Sequence, residues 1–241
     1  MEPKEKRLLD LPDVPLLRIF EHVPPRFQIC ILPLVCRRFA ELAPIAARKQ
    51  QKLIVLVNYK PLFLVEGICF YSKFGFSSTT VEKLHHHFPC VTELHLECNE
   101  LPTDLLIEML KLWSTTLASL EILGRNISYL FRNFKELFAT INTLSNLRNL
   151  KIHSDNGNFG NSIDLSILSR LQKFSVLLRR KHGDFNSLVD SLQRHAVYNH
   201  DLQEVSINPI GYDEFERFCQ LPGNVKNKFT YMELKKVNSI H

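Results

Sequence analysis

One apolar spacing recurs along most of this chain, and it limits the possible folds more than any other feature. Val91, Leu94 and Leu96 set the pattern. It returns as Leu117, Leu120 and Ile122, as Leu147, Leu150 and Ile152, as Leu171, Phe174 and Val176, and as Leu202, Val205 and Ile207. Phe229, Met232 and Leu234 close the series. The middle residues are spaced by 26, 30, 24, 31 and 27 residues. The last two apolar positions of each copy are two apart, so they share one face of a strand while the residues beside them face the other way. One copy alone exposes more apolar surface than it can cover. Stacked copies share a continuous core, and that is how repeat architectures become stable. The run Leu53–Val57 lies upstream and is placed to begin the stack.

Segments of helical spacing separate these strands. One runs from Thr80 towards Phe88. Leu101 to Trp113 is another, with Thr103 or Asp104 near its start and Leu105, Met109 and Leu112 facing inward. Ser128 to Ile141 carries Leu130, Phe134, Leu137, Phe138 and Ile141, and Phe185–Tyr198 and Tyr212–Leu221 complete the set. Asn156 to Asn161 reads as a loop. Alternating strands and helices specify an α/β fold. A doubly wound sheet alternates in the same way, but it brings near-continuous apolar strands and a Gly-rich first turn, and the sequence has neither. The expectation is a curved α/β solenoid with one parallel strand per repeat on its concave side.

A different pattern fills Leu9 to Ala43. Leu16, Ile19, Phe20 and Val23 recur at helical spacing and line one face of a first helix, with Pro15 suited to its first position. Pro24-Pro25 stops that helix, since neither proline can donate a backbone hydrogen bond. Ile29 and Leu32 mark a short second helix that breaks at Pro33. A third begins there, with Val35, Cys36, Phe39 and Leu42 on one side and Arg37 and Arg38 beside them. So much apolar surface at one end of the chain needs a cover, either a partner or the end of the stack that follows.

This segment resembles the F-box. The matching elements are Leu11-Pro12, the run Leu16 to Phe20, the Pro24-Pro25-Arg26 turn and the Val35-Cys36-Arg37-Arg38-Phe39 ending. Two positions depart from the family pattern. Val14-Pro15 stands where an acidic or simple aliphatic residue is frequent, and Phe27 stands where an aspartate commonly caps the second helix. The later copies resemble the leucine-rich repeats that often follow an F-box, with uneven length and no regular asparagine after each strand. The resemblance implies two parts: a three-helix F-box over residues 1–48 and a leucine-rich-repeat solenoid over 49–241. It also implies a substrate-recognition subunit of an SCF-type ubiquitin ligase. Leu11, Pro12, Leu16, Ile19, Phe20, Val23, Val35, Cys36 and Phe39 would dock the Skp adaptor, and through it the cullin–RING ligase. The repeats would hold an unknown client protein. The alternative is a scaffold whose helices merely cap the repeats and bind no ligase.

On the concave face the residues between the leucines point to solvent, and they change sign along the stack. Glu93, His95, Glu97 and Glu121 come first, then Lys151, His153 and Lys173, then Glu204. Of these, Glu93, His95, Glu121, Lys151, His153 and Lys173 are the candidate client contacts. Polar residues that simply keep a sheet soluble would give much the same list.

Other chemistry finds little support. His85-His86-His87 is the one metal-like cluster, but successive helical side chains diverge by about 100°. Zinc ligands usually come from i, i+4 positions or from separate elements, so these residues read as a helix end with one ring tucked under Phe88. Cys98 with His95, or Cys219 with a distant histidine, lacks any local orienting group, and eight glycines build no phosphate-binding loop. The expectation is therefore a non-catalytic chain without metal or cofactor. Six cysteines without paired spacing suit a reducing, cytoplasmic or nuclear setting. No apolar run is long enough to span a bilayer, and no secretory signal is evident. The formal charge is only +5, with nine Lys/Arg against six Asp/Glu in residues 1–50, which does not call for nucleic acid.

Overall fold

The computed structural model describes residues 8–57, 68–70, 76–98, 102–124, 134–154, 165–178, 186–196, 198–210, 220 and 229–234. Its N-terminal part is helical: a 3-10 turn over Leu8–Asp10, then α1 (Asp13–Glu21), α2 (Pro25–Cys30), α3 (Leu32–Val35) and α4 (Arg37–Ala47). Four segments stand where three helices were expected. Pro15 sits in the first turn of α1 rather than at its first position, where its missing N–H still costs no bond. Pro33 lies inside the first turn of α3 rather than breaking a helix. Having no N–H to give Ile29, it interrupts the ladder near Ile31 instead. The last helix starts only at Arg37, because Cys36 is fully extended (φ −163°, ψ 166°). On α4 the buried residues are Phe39, Leu42, Ala43, Ala46 and Ala47, a stripe at helical spacing. All but Ala47 share a core with Leu16 and Phe20 of α1, and the rings of Phe20 and Phe39 pack edge-on with centroids 4.8 Å apart.

Among the described residues, eight strands form one sheet in the order β2-β1-β3-β4-β5-β6-β7-β8, with every neighbouring pair parallel. They are β1 (Lys52–Val57), β2 (Ile68–Phe70), β3 (Glu93–Cys98), β4 (Ser119–Gly124), β5 (Asn149–Ser154), β6 (Lys173–Leu178), β7 (Glu204–Ile210) and β8 (Phe229–Leu234). β2 lies on the outer side of β1, β3 on its other side, and each later strand lies beside the one before it. The register aligns Leu53, Leu94, Leu120, Leu150, Phe174 and Val205 in one row, and Val55, Leu96, Ile122, Ile152, Val176 and Ile207 in a second. Both rows are buried. Over this face pack the connecting segments α5 (Ser78–His87), α6 (Thr103–Leu112), α7 (Phe134–Thr143), a 3-10 turn (Ser166–Ser169) and α8 (Asn186–Ser191), which runs into a π turn over Leu192–Ala196.

The repetition reaches the backbone. At the entry to β3, the N–H groups of Thr92 and Glu93 both donate to the Gln51 carbonyl. Ala118 and Ser119 do the same to Thr92, Arg148 and Asn149 to Ala118, Gln172 and Lys173 to Arg148, and Gln203 and Glu204 to Gln172. Each strand from β3 to β7 is thus hung from its neighbour by the same pair of bonds. Side chains satisfy the turn carbonyls that this leaves over: Trp113 Nε1 donates to Phe88 O at 2.8 Å, and Asn199 Nδ2 donates to Leu168 O and Leu171 O.

Candidate docking surfaces

Two surfaces stand out, and opposite chemistry builds them. The first is apolar and lies on the helical part. Ten large hydrophobic side chains are exposed among the described residues, and nine belong to this short segment: Leu8, Leu9, Val14, Ile19, Phe27, Ile31, Leu34, Val35 and Ile45. Leu34 is 81% exposed and Val14 70%. Such a concentration is unusual for a surface meeting only water.

The structure separates the expected adaptor contacts into three groups. Leu16, Phe20 and Phe39 are at most 3% exposed. They form the core of the helical part, so they can influence a partner only by shaping the surface above them. Pro12, Ile19 and Val35 are open to solvent, and Leu11 and Cys36 are half-buried against the same core. Val23 faces elsewhere: with His22, Pro24, Pro25, Lys52 and Ile54 it lines a hollow of about 220 Å³ where the helices meet β1. Sequence reasoning missed Leu34, Ile31 and Phe27. Their exposure depends on where α2, α3 and α4 begin and end, which the apolar spacing did not fix.

Arg38 fixes the edge of this surface. Its guanidinium donates to both Leu9 O (2.9 Å) and Leu11 O (2.6 Å), and Nε reaches Asp13 Oδ1 at 2.8 Å. It thereby ties the N-terminal turn and the start of α1 to α4. Gln28, fully buried, donates to Phe20 O at the end of α1. No side chain caps α2, because its N-cap is Pro24; Phe27, expected at the capping position, is instead the third residue of the helix.

The second surface is the polar face of the sheet. The register sets His95 beside Glu121, Glu121 beside Lys151 and Lys151 beside Ser175. Glu121 is engaged on both oxygens: His95 Nδ1 lies 2.9 Å from Oε2, and Lys151 Nζ lies 2.6 Å from Oε1. Partial burial disfavours the Glu121 carboxylate, but the bonds from Lys151 and His95 outweigh it and hold its pKa below the ordinary value. Lys173 and Glu204 form a looser pair at 3.4 Å. Between these pairs lies an open hollow of about 340 Å³, with Ser119, Asn149, Lys151, Lys173, Ser175 and Ser206 in its lining. Of the expected client contacts, Glu121, Lys151 and Lys173 therefore gather at one place. His95 adjoins them, Glu93 lies two strands from β5, and His153 occupies the next outward position along β5.

The histidine run ends α5. His85 packs edge-on to Trp113 (5.5 Å between centroids), His86 is exposed, and the His87 ring lies 6.3 Å from that of Phe88. Among the described residues no group of three or more His, Cys, Asp or Glu converges as metal ligands would, and no helix is long and apolar enough to cross a membrane. His95 spends its Nδ1 on Glu121, and Cys219 lies outside the described residues.

Residues 8–45 match the F-box domain family. The F-box domain is the Skp-binding module of SCF ubiquitin-ligase receptors, and it covers the same segment as the apolar surface. No curated protein matches the chain.

Proposed function

We propose that this chain is a substrate-recognition subunit of an SCF-type ubiquitin ligase. The F-box docks the Skp adaptor, and the sheet, read as a leucine-rich-repeat solenoid, presents a client on its polar face. The ubiquitin chemistry then belongs to other subunits, and this chain contributes position rather than catalysis. The observation that carries the reading is the crowding of nine exposed apolar side chains into the F-box segment. A helical cap would turn such residues inward onto the sheet, and here only Ala47 and Ile29 do so. Support for the solenoid comes from the sequential parallel order, the aligned apolar rows and the pair of bonds that recurs at the entries of β3 to β7.

Copurification of the full chain with the Skp adaptor tests the proposal. The wild type is expected to hold the adaptor at one-to-one stoichiometry, and a Leu34→Ser/Val35→Ser variant is expected to lose it. A wild type that recovers no adaptor would make the scaffold reading the correct one.

A further inference from the structure

The polar face does not present charge at random. The outward positions of β3 are Glu93, His95 and Glu97, with no Lys or Arg among them. Those of β5 and β6 are Asn149, Lys151, His153, Lys173, Ser175 and Leu177, with no Asp or Glu. From β3 to β6 the sign therefore reverses, with Lys52 of β1 beside Glu93 and Glu204 of β7 beside Lys173 at the two ends. Glu121, which lies between, is bonded by His95 and Lys151 on its two oxygens, and the Glu121–Lys151 pair offsets both charges, so what Lys151 offers is its remaining donors. Lys151 and Lys173 border the same hollow, as do their ion-pair partners Glu121 and Glu204. An ammonium has three donors, and the single contact of Lys173 to Glu204 is long and half-exposed, so both lysines keep capacity for a further acceptor.

We infer that this face receives an extended segment of a partner protein lying across the strands. An Asp or Glu side chain of the segment enters the hollow beside Lys151 and Lys173. A Lys or Arg side chain lies over Glu93 on β3. Neighbouring strands are about 4.8 Å apart, so the distance from β3 to the gap between β5 and β6 is about 12 Å. An extended chain covers that in about four residues, at roughly 3.3 Å per residue. The client signature is thus one acidic and one basic side chain about four positions apart. The inference rests on the receptor reading for its biology, and on the charge pattern for its chemistry.

Selection of a random twelve-residue displayed peptide library on the full chain tests it. Wild type is expected to enrich peptides with Asp or Glu three to five positions from Lys or Arg. Lys151→Glu/Lys173→Glu is expected to exchange the acidic preference for a basic one, and Glu93→Lys to abolish the basic one. A synthetic peptide from the wild-type selection should bind the double reversal at least about tenfold more weakly, a difference of about 1.4 kcal/mol. An inverted preference can come only from a folded variant. Should the reversal select nothing, Lys151→Ser/Lys173→Ser, which sets no like charge against Glu121 or Glu204, must lose the acidic preference and keep the basic one. Failure of either to do so overturns the placement, as does enrichment without the charge pair or an unchanged motif in the reversal. Adaptor copurification is read separately: its loss with the peptide motif intact rejects the receptor role alone, and its persistence without the motif rejects this surface alone.

Discussion

The helical part and the sheet use apolar residues in opposite ways. In the sheet, alternation sends most large apolar strand residues to one face, where two aligned rows are sealed by the helices. In the F-box the short helices carry apolar residues on more than one side, and a small core around Phe20 and Phe39 can take only some of them. A strand with period two can be apolar and still expose a polar face. A four-residue helix with three apolar side chains cannot. The sheet is therefore complete by itself on its apolar side, while the helical part is stable enough to fold and still lacks a cover.

The contrast breaks most visibly in stability measurements. Phe20→Ala removes a ring from the small core and is expected to cost about 3–5 kcal/mol in urea unfolding. A loss under about 1 kcal/mol would mean that no such core exists. Arg38→Ala frees the N-terminal turn from α4, and because the guanidinium is partly exposed the expected cost is smaller, about 1–2 kcal/mol. Hydrogen exchange at Leu11 and Leu16 should accelerate with it, and unchanged exchange there would show that the tether is idle. Leu34→Ser/Val35→Ser is expected to change stability by less than about 0.5 kcal/mol while abolishing adaptor binding. Substantial destabilisation would place those residues inside, against the division drawn here.

The smallest effect belongs to the polar face and depends on pH. Because the folded structure holds the Glu121 pKa down, its stabilising contribution is present above the ordinary value near 4.5 and is lost as pH falls through the folded one. Wild type should melt above Glu121→Gln at neutral pH, and the two curves should converge in acid. A gap that persists unchanged below pH 4 would show that the stabilisation is not carried by the ionised carboxylate.

The strand series was legible because alternation leaves a sharp signature: all five copies from Val91 to Ile207 bury all three marked residues, and each marks a strand entry. The sixth, Phe229 to Leu234, is a strand, paired to β7 with a shifted register. β2 was not legible, since the three-residue run Ile-Cys-Phe is too short to display a period. For α6 the helix was readable and its phase was not. Leu105 and Leu112 are only half-buried, whereas Leu106, Ile107 and Leu110 are fully covered along with Met109. Between Leu105 and Leu110 only Glu108 is polar, which leaves the direction of the apolar face weakly specified. Leu130 and the Tyr212–Leu221 helix lie outside the described residues, as does the loop from 156 to 161. In the F-box the motif residues were readable, but their division into core and surface was not. That division depends on where α3 ends and α4 begins, and a single extended residue, Cys36, decides it.

α4 belongs to both regions. Leu42, Ala43 and Ala46 lie in the small core, and Ala47, one residue on, lies in the core of the sheet. Only Arg48 to Gln51 separate its end from β1, and two of their side chains bind Glu21: Lys49 its carboxylate at 2.6 Å, and Gln50 its carbonyl at 2.8 Å. Calorimetry should therefore see the F-box and the first strands melt as one cooperative unit. A ligand held by the helices would then slow amide exchange in β1 and β3, without touching either.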